Sequence, residues 1–160
     1  MTTEDRALLH ATAISVHGRA ALLRGPSGAG KSDLALRCLT CPIFDGARTV
    51  AAELVADDQV IAERRGGSVW LTAPATIRDR IEIRGIGIRR WPAIAGSQLA
   101  VVVDLTAPHD VERLPAPRTA QILGIDVPLI SLAPFETSAS TKLMLWLAGL
   151  ASADEDRADT

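Results

Sequence analysis

Apolar residues along the chain occur mostly in short runs, which predict a sheet of many strands. Residues 12–16 and 20–24 are two such runs separated by His17-Gly18, and this spacing predicts a β-hairpin. Residues 99–105 form a continuous apolar run, typical of a strand covered on both faces. The other predicted strands cover 49–56, 59–63, 68–73, 80–83 and 127–132.

Two segments have the apolar spacing of a helix. One begins near residue 32 and ends before Pro42, and the other covers 137–150 with Leu143 and Leu147 on its buried side. Strands and helices together predict an α/β fold with a central mixed β-sheet flanked by helices. We expect one domain over residues 1–150, followed by an acidic, frayed tail over 151–160.

Composition narrows the classes of function. Hydrophobic residues make up 48% of the chain and charged residues 22%, as is usual for a folded soluble protein. A net charge of −2 argues against a general binder of nucleic acid or of a membrane surface. No run approaches the ~20 apolar residues that span a bilayer, and the polar start lacks a secretory pattern. We therefore expect a cytoplasmic protein, in which Cys38 and Cys41 are structural.

A phosphate loop is the strongest motif in the chain. Residues 25–32 satisfy G-x-x-x-x-G-K-[ST], with an apolar strand before them and a helix after them. In this context the backbone N–H groups surround phosphates, Lys31 reaches the β- and γ-phosphates, and the Ser32 hydroxyl binds magnesium. The predicted nucleotide-binding residues are Gly25, Pro26, Ser27, Gly28, Ala29, Gly30, Lys31 and Ser32.

Carboxylates lie at the ends of three predicted strands, and each has more than one interpretation. Asp104 closes Val-Val-Val-Asp, and on this pattern alone it is the first choice for the acid that supports the metal. One member of the pair Asp57-Asp58 could accept and return a proton, or the pair could be only a polar turn. Glu82, with Arg84 on the same side of its strand, could belong to a site or to a surface ion pair.

Taken together, these motifs resemble the catalytic, C-terminal domain of HPr kinase/phosphorylase. The resemblance runs from about His10 to Pro134 and includes Leu-Val-Ala-Asp-Asp at 54–58. Its most specific part is Ile-Glu-Ile-Arg-Gly-Ile-Gly-Ile at 81–88. It implies a P-loop phosphotransferase fold of the HPr kinase/PEP carboxykinase-like kind, in a short form without the family's N-terminal domain. It also implies ATP and Mg²⁺ as cofactors, a hexamer, and phosphorylation of a serine of HPr, the phosphocarrier of the bacterial phosphotransferase system.

The resemblance also implies roles for individual residues. The implied catalytic residues are His10, Lys31, Asp57, Asp58 and Arg113. The implied metal ligands are Ser32 and Glu82, and the implied partner-binding residues are Arg84, Gly85, Ile86 and Gly87. Which of the two adjacent aspartates deprotonates the serine stays open at this point.

Other functions remain as alternatives. A small-molecule P-loop kinase would leave the segment 81–88 without an explanation, and a non-catalytic ATP-sensing module would bind a partner without transferring phosphate. A GTPase lacks support because the sequence has no Asn-Lys-x-Asp motif. Residues 132–137 differ from the Pro-Gly-Arg-Asn-like stretch that longer family members use for dephosphorylation, so phosphorylase activity also stays open.

Overall fold

A computed structural model describes residues 3–158 of the chain, with side chains through residue 149. The helices are α1 (Lys31–Thr40) and α2 (Ala139–Ala158), and 3-10 turns occupy Thr3–Asp5 and Pro108–Asp110. The strands are β1 (Arg6–His10), β2 (Thr12–Val16), β3 (Arg19–Arg24), β4 (Ile43–Phe44), β5 (Thr49–Val50), β6 (Glu53–Ala56), β7 (Gln59–Arg65), β8 (Ser68–Thr72), β9 (Arg80–Ile83), β10 (Gly87–Arg90), β11 (Ser97–Leu105), β12 (Arg118–Ile122) and β13 (Ile125–Leu132).

The central sheet has nine strands and is mixed, as the sequence predicts. Its main path has the order β1-β7-β8-β11-β3-β2-β6. Strand β3 pairs in parallel with one edge of β11, while β8 and β13 share the other edge of β11. Strand β12 extends the sheet through β13. The parallel strands β3, β11 and β13 therefore point their carboxyl ends to one side of the molecule.

Alternate residues of the central strands enter two separate cores. In β3 and β11, Leu23, Val101 and Val103 pack with both helices on one face of the sheet. Leu22 and Val102 pack on the other face against residues of the outer strands. Both faces are buried, which explains the continuous apolar runs in these strands. The helices therefore cover one face of the sheet, and strands cover the other.

Several strands differ from the sequence-based prediction. Strands β1 and β12 were not predicted, and β10 stands where a loop was expected. The strand predicted over 49–56 is interrupted at residues 51–52 and divides into β5 and β6. β1 and β12 each pair along one edge only, and every residue of β10 is exposed, so none of them has the apolar pattern of a central strand.

The C-terminal helix is longer than the 137–150 predicted for it. Its buried residues include Leu143 and Leu147, as predicted, together with Met144. The backbone stays helical through Ala158, where a frayed tail was expected. Residues 159–160 of that expected tail lie outside the described part of the chain. Neither described helix is long and apolar enough to cross a membrane.

Candidate active site

The phosphate loop connects the carboxyl end of β3 to the first residue of α1, as the sequence predicts. Gly28 has φ +82° and Gly30 has φ +96°, a left-handed conformation that strains any residue with a side chain. A Cβ added at Gly25 would lie 2.8 Å from the Cβ of Ala29, so the loop also needs the absence of a side chain there. The glycines therefore fix a tight loop at the positive end of the helix, where an anion is stabilised.

Lys31 is held inside this loop. Its side chain is 7% exposed, and Nζ donates to the carbonyl oxygens of Gly25 at 2.6 Å and Pro26 at 3.0 Å. A buried ammonium group needs such acceptors, because leaving it without them is costly. Phosphate oxygens are stronger acceptors than carbonyls, since they carry charge. The lysine is thus placed to exchange the two carbonyls for a phosphate.

Asp57 joins the phosphate loop to two strands. It follows β6, is only 6% exposed, and its Oδ1 accepts hydrogen bonds from Ser32 Oγ at 2.6 Å and Thr12 Oγ1 at 3.0 Å. Its Oδ2 accepts from the backbone N–H of Glu82 at 2.9 Å. One buried carboxylate therefore fixes the loop's serine and the acid of β9 relative to each other.

Asp58 faces a different neighbour. Its Oδ1 lies 2.8 Å from His10 Nε2, and both side chains are more than half exposed. Pairing of β1 with β7 places His10 opposite Gln59, the residue after Asp58. Asp58 has φ +67°, so the chain turns sharply between the two aspartates and sends their side chains to different partners. The aspartates are adjacent in sequence but occupy distinct environments.

A cleft of about 430 Å³ brings these residues together. Its walls come from the phosphate loop, the start of α1, the end of β9, and the segment after β13. The residues that line it are His10, Ser27, Gly28, Gly30, Lys31, Ser32, Asp33, Leu36, Asp58, Glu82, Ile83, Arg84 and Phe135. Most of the predicted site residues thus share one cavity, with Asp57 directly beneath it through Ser32.

Glu82 and the segment after it lie in a hairpin of β9 and β10. Ile81 is buried while Glu82 is exposed, as the alternation predicts. The backbone N–H of Ile86 donates to Ile83 O at 2.9 Å and closes the turn. All four predicted partner-binding residues, Arg84, Gly85, Ile86 and Gly87, are exposed there. Arg84 also lines the cleft, so the hairpin tip borders the site.

Two candidate residues lie apart from the cleft lining. Asp104 forms a two-point ion pair with Arg24, with Nε–Oδ1 at 2.8 Å and Nη2–Oδ2 at 3.2 Å. Arg113 is exposed in the connection between Pro108–Asp110 and β12. Neither residue lines the cavity that contains the phosphate loop. The strand-end pattern that favours Asp104 therefore does not identify the acid nearest the loop.

Sequence reasoning missed three residues at the site. Thr12 is completely buried and donates to Asp57, while Arg37 of α1 holds the segment that carries Phe135. No sequence signal distinguishes Thr12 from other small residues of its apolar strand, because its role depends on a residue 45 positions away. The positions of Arg37 and Phe135 follow in the same way from the packing of α1 beside the chain after β13.

The cysteines have the structural role that the sequence predicts. Cys38 is buried in the core beside α2, and burial raises the pKa of its thiol to about 12. A thiol with so high a pKa is neither a nucleophile nor a ready metal ligand near neutral pH. Cys41 is exposed, and both cysteines are free. Among the described side chains, no group of three or more His, Cys, Asp and Glu residues could hold a metal ion.

Comparison with known proteins places the chain in a family. The model of the HPr Serine kinase C-terminal domain matches residues 2–146. An HPr kinase/phosphorylase of Prosthecochloris aestuarii is 37% identical over 135 residues, which cover 77% of this chain and 37% of that protein. One of Stenotrophomonas maltophilia is 31% identical over 145 residues, covering 82% and 43% of the two chains. This chain thus spans about two fifths of the length of these relatives.

The fold comparison agrees. The Hpr(Ser) kinase/phosphatase structure from Coxiella burnetii superposes with a TM-score of 0.73 at 23% identity, covering 94% of this chain and 99% of that one. The strand, phosphate loop and helix, with acids delivered from neighbouring strands, define an α/β phosphotransferase fold. The chain belongs to the family of HPr serine kinase C-terminal domains.

Proposed function

We propose that this chain is an ATP- and magnesium-dependent serine kinase of the cytoplasm, and that its acceptor is HPr, the phosphocarrier of the bacterial phosphotransferase system. The observation that carries the proposal is the bridge made by Asp57. It connects Ser32 of the phosphate loop with the backbone of Glu82, and the next residue, Asp58, contacts His10. A loop for phosphates and two carboxylates with different surroundings are the parts that phosphoryl transfer needs.

The residues present fit a nucleotide with magnesium. The backbone nest and Lys31, whose Nζ now contacts two loop carbonyls, suit a triphosphate. Magnesium is commonly held by one or two carboxylates, phosphate oxygens and water, so a dedicated cluster of acids is not required. Ser32 and Glu82 would hold the ion, and Asp57 would orient Ser32 through the 2.6 Å hydrogen bond. Bound MgATP supplies the γ-phosphoryl group that the enzyme transfers.

The surroundings of the two aspartates support different roles. Asp57 already accepts three hydrogen bonds and is nearly buried, so it is suited to positioning Ser32 and β9. Asp58 is exposed to the cleft and contacts only the imidazole of His10 among the side chains. We assign to Asp58 the proton of the serine hydroxyl, whose oxygen then forms the new bond to phosphorus while ADP leaves. His10 holds the Asp58 carboxylate in place.

The hairpin tip supports an acceptor protein beside the cleft. Ile86 is 59% exposed and Ile88 is 64% exposed, and Arg84 adds a positive charge next to the cavity. Exposed apolar groups rimmed by charge are typical of a protein interaction site. We therefore assign the acceptor to this tip. A role for Arg113 and a hexamer stay predictions.

The direct test is a transfer assay with HPr from the same organism. Purified chain, ATP and magnesium should produce phosphoserine on HPr, detected by mass spectrometry, and an HPr variant without the acceptor serine should stay unmodified. Lys31→Ala should abolish the product, because the lysine neutralises the transferring oxygens. Bound nucleotide without any phosphoserine after a single turnover would contradict the kinase proposal. The same assay run with phosphorylated HPr and inorganic phosphate tests the phosphorylase reaction.

A further inference from the structure

Phe135 is an aromatic side chain exposed at the entrance of the cleft, and the proposed chemistry does not use it. Its side chain is 71% exposed, and of the exposed large apolar side chains described, it alone lines the cleft. Phenylalanine buries a large apolar area when it finds a partner, so its exposure leaves an unused contact surface. Gly28 and Leu36 line the same cleft and leave the cavity open beside the ring.

The ring of Phe135 packs against the phosphate loop. A Cβ added at Gly30 would lie 3.0 Å from Phe135 Cζ and 3.1 Å from Cε1. A ligand whose phosphates occupy the loop would therefore pass beside the aromatic ring.

The segment that carries Phe135 is fixed to α1. The guanidinium of Arg37 donates to the carbonyl oxygens of Pro134 and Glu136, the two residues that flank the phenylalanine. The same side chain donates to Asp33 Oδ2 at 3.1 Å. These bonds present the ring in one position before any ligand binds, which lowers the entropy cost of a contact with it.

The sheet places Phe135 and the acid pair on opposite sides of the phosphate loop. The acids follow β6, which lies beyond β2 on one side of β3, whereas Phe135 follows β13, which lies beyond β11 on the other side. The reacting end of a triphosphate must face the acids. The opposite end of the same nucleotide carries the base, and it then extends toward the segment after β13.

We propose that Phe135 stacks against the base of the bound nucleotide, and this inference rests on the proposed ATP-dependent function. Stacking uses the face of the base rather than its hydrogen-bonding edge, so it supplies affinity for any purine nucleoside triphosphate. Phe135 is accordingly a binding residue for the base, separate from the residues that hold the phosphates.

The test compares two ligands, one with a base and one without. Calorimetric titrations use MgATP and magnesium tripolyphosphate with the wild-type chain, Phe135→Ala, Phe135→Trp and Phe44→Ala. Phe44 is the matched control, because it is 68% exposed on β4 and does not line the cleft. We expect Phe135→Ala to weaken ATP binding about fivefold or more, as the loss of one stacked base does. Its affinity for tripolyphosphate should change less than twofold, and Phe135→Trp should bind ATP at least as tightly as the wild type.

The outcomes separate this inference from the proposed function. Unchanged ATP affinity in Phe135→Ala, or an equal loss for ATP and tripolyphosphate, would overturn the stacking contact while leaving the kinase proposal intact. An effect confined to the KM for HPr would overturn it in favour of an acceptor contact. If the wild-type chain binds neither ligand, the proposed function fails first, and Lys31→Ala, which should lose both ligands, calibrates that result.

Discussion

Two strand ends near the phosphate loop carry acids, and their surroundings differ. At the end of β11, Asp104 is bound at two points by the guanidinium of Arg24. At the end of β6, Asp57 accepts hydrogen bonds from hydroxyls and a backbone N–H, and Asp58 contacts an imidazole. A fixed cation occupies the first carboxylate, whereas the second strand end connects directly to the loop. The neighbours across the sheet, rather than the strand-end pattern, therefore decide which acid can serve a site.

The register of the sheet produces this difference. Parallel pairing of β3 with β11 sets Arg24 beside Asp104, so the last residue before the loop is committed to that acid. Strand β6 pairs with β2, not with β3, and the chain then turns at Asp57 under the start of α1. The acid that follows the shorter strand thus reaches Ser32. The comparison makes predictions that can be checked one residue at a time.

The largest effect is expected for Asp58→Asn. Loss of the group that accepts the serine proton should lower kcat for HPr phosphorylation about 10²- to 10⁴-fold. The KM for ATP should not change, because Asp58 does not belong to the phosphate loop. Steady-state kinetics with saturating magnesium measure both values. A loss below about fivefold would assign the proton to another acceptor.

Asp57→Asn should act mainly through magnesium. The amide cannot accept all the hydrogen bonds that now fix Ser32 and the backbone of Glu82, so both proposed ligands lose their orientation. Altering a group that orients metal ligands typically costs 10- to 100-fold in metal affinity, and we expect the half-saturating magnesium concentration to rise by about that factor. Magnesium titrations of the transfer rate provide the measurement. An unchanged magnesium requirement would separate Asp57 from the metal.

His10→Gln should have a smaller effect than Asp58→Asn. The Asp58 carboxylate stays present, but it loses the contact at 2.8 Å that positions it. We expect kcat to fall about tenfold with an unchanged KM for ATP, since general-base catalysis depends on geometry as well as on the base itself. His10→Asp58 contact loss and base loss should also not add. A double variant with Asp58→Asn that is much slower than Asp58→Asn alone would show an independent role for His10.

The smallest effect is expected for Asp104→Asn. The pair with Arg24 is about one third exposed on each side, and exposed ion pairs of this kind contribute about 0.2–1 kcal/mol to stability. Denaturant unfolding should detect at most that loss, and the transfer rate should change less than threefold. A loss of activity comparable to that of Asp58→Asn would reverse the comparison between the two strand ends.

The sequence predicts the local parts of this molecule well. The phosphate loop, the hairpin over 12–24 and the central strand β11 depend on residues that are close in sequence, so their patterns are visible in it. The edge strands β1 and β12 and the exposed β10 were missed because pairing with a neighbour, rather than an apolar pattern, creates them.

The candidate site follows the same rule. The resemblance indicates which residues matter, and the cleft contains most of them. The division of roles between Asp57 and Asp58 could not be predicted, because it depends on a left-handed turn at Asp58 and on Thr12 and His10 from other strands. The pairing of Asp104 with Arg24 is likewise a property of strand register.

The most direct test is a crystal structure with a non-hydrolysable ATP analogue and Mn²⁺ in place of Mg²⁺. The anomalous signal of manganese locates the ion independently of any variant or assay. The account predicts the peak beside Ser32 Oγ and Glu82, with the γ-phosphate on the side of Asp58 and His10. A manganese ion bound at Asp104, or an analogue whose phosphates lie outside residues 25–32, would contradict it.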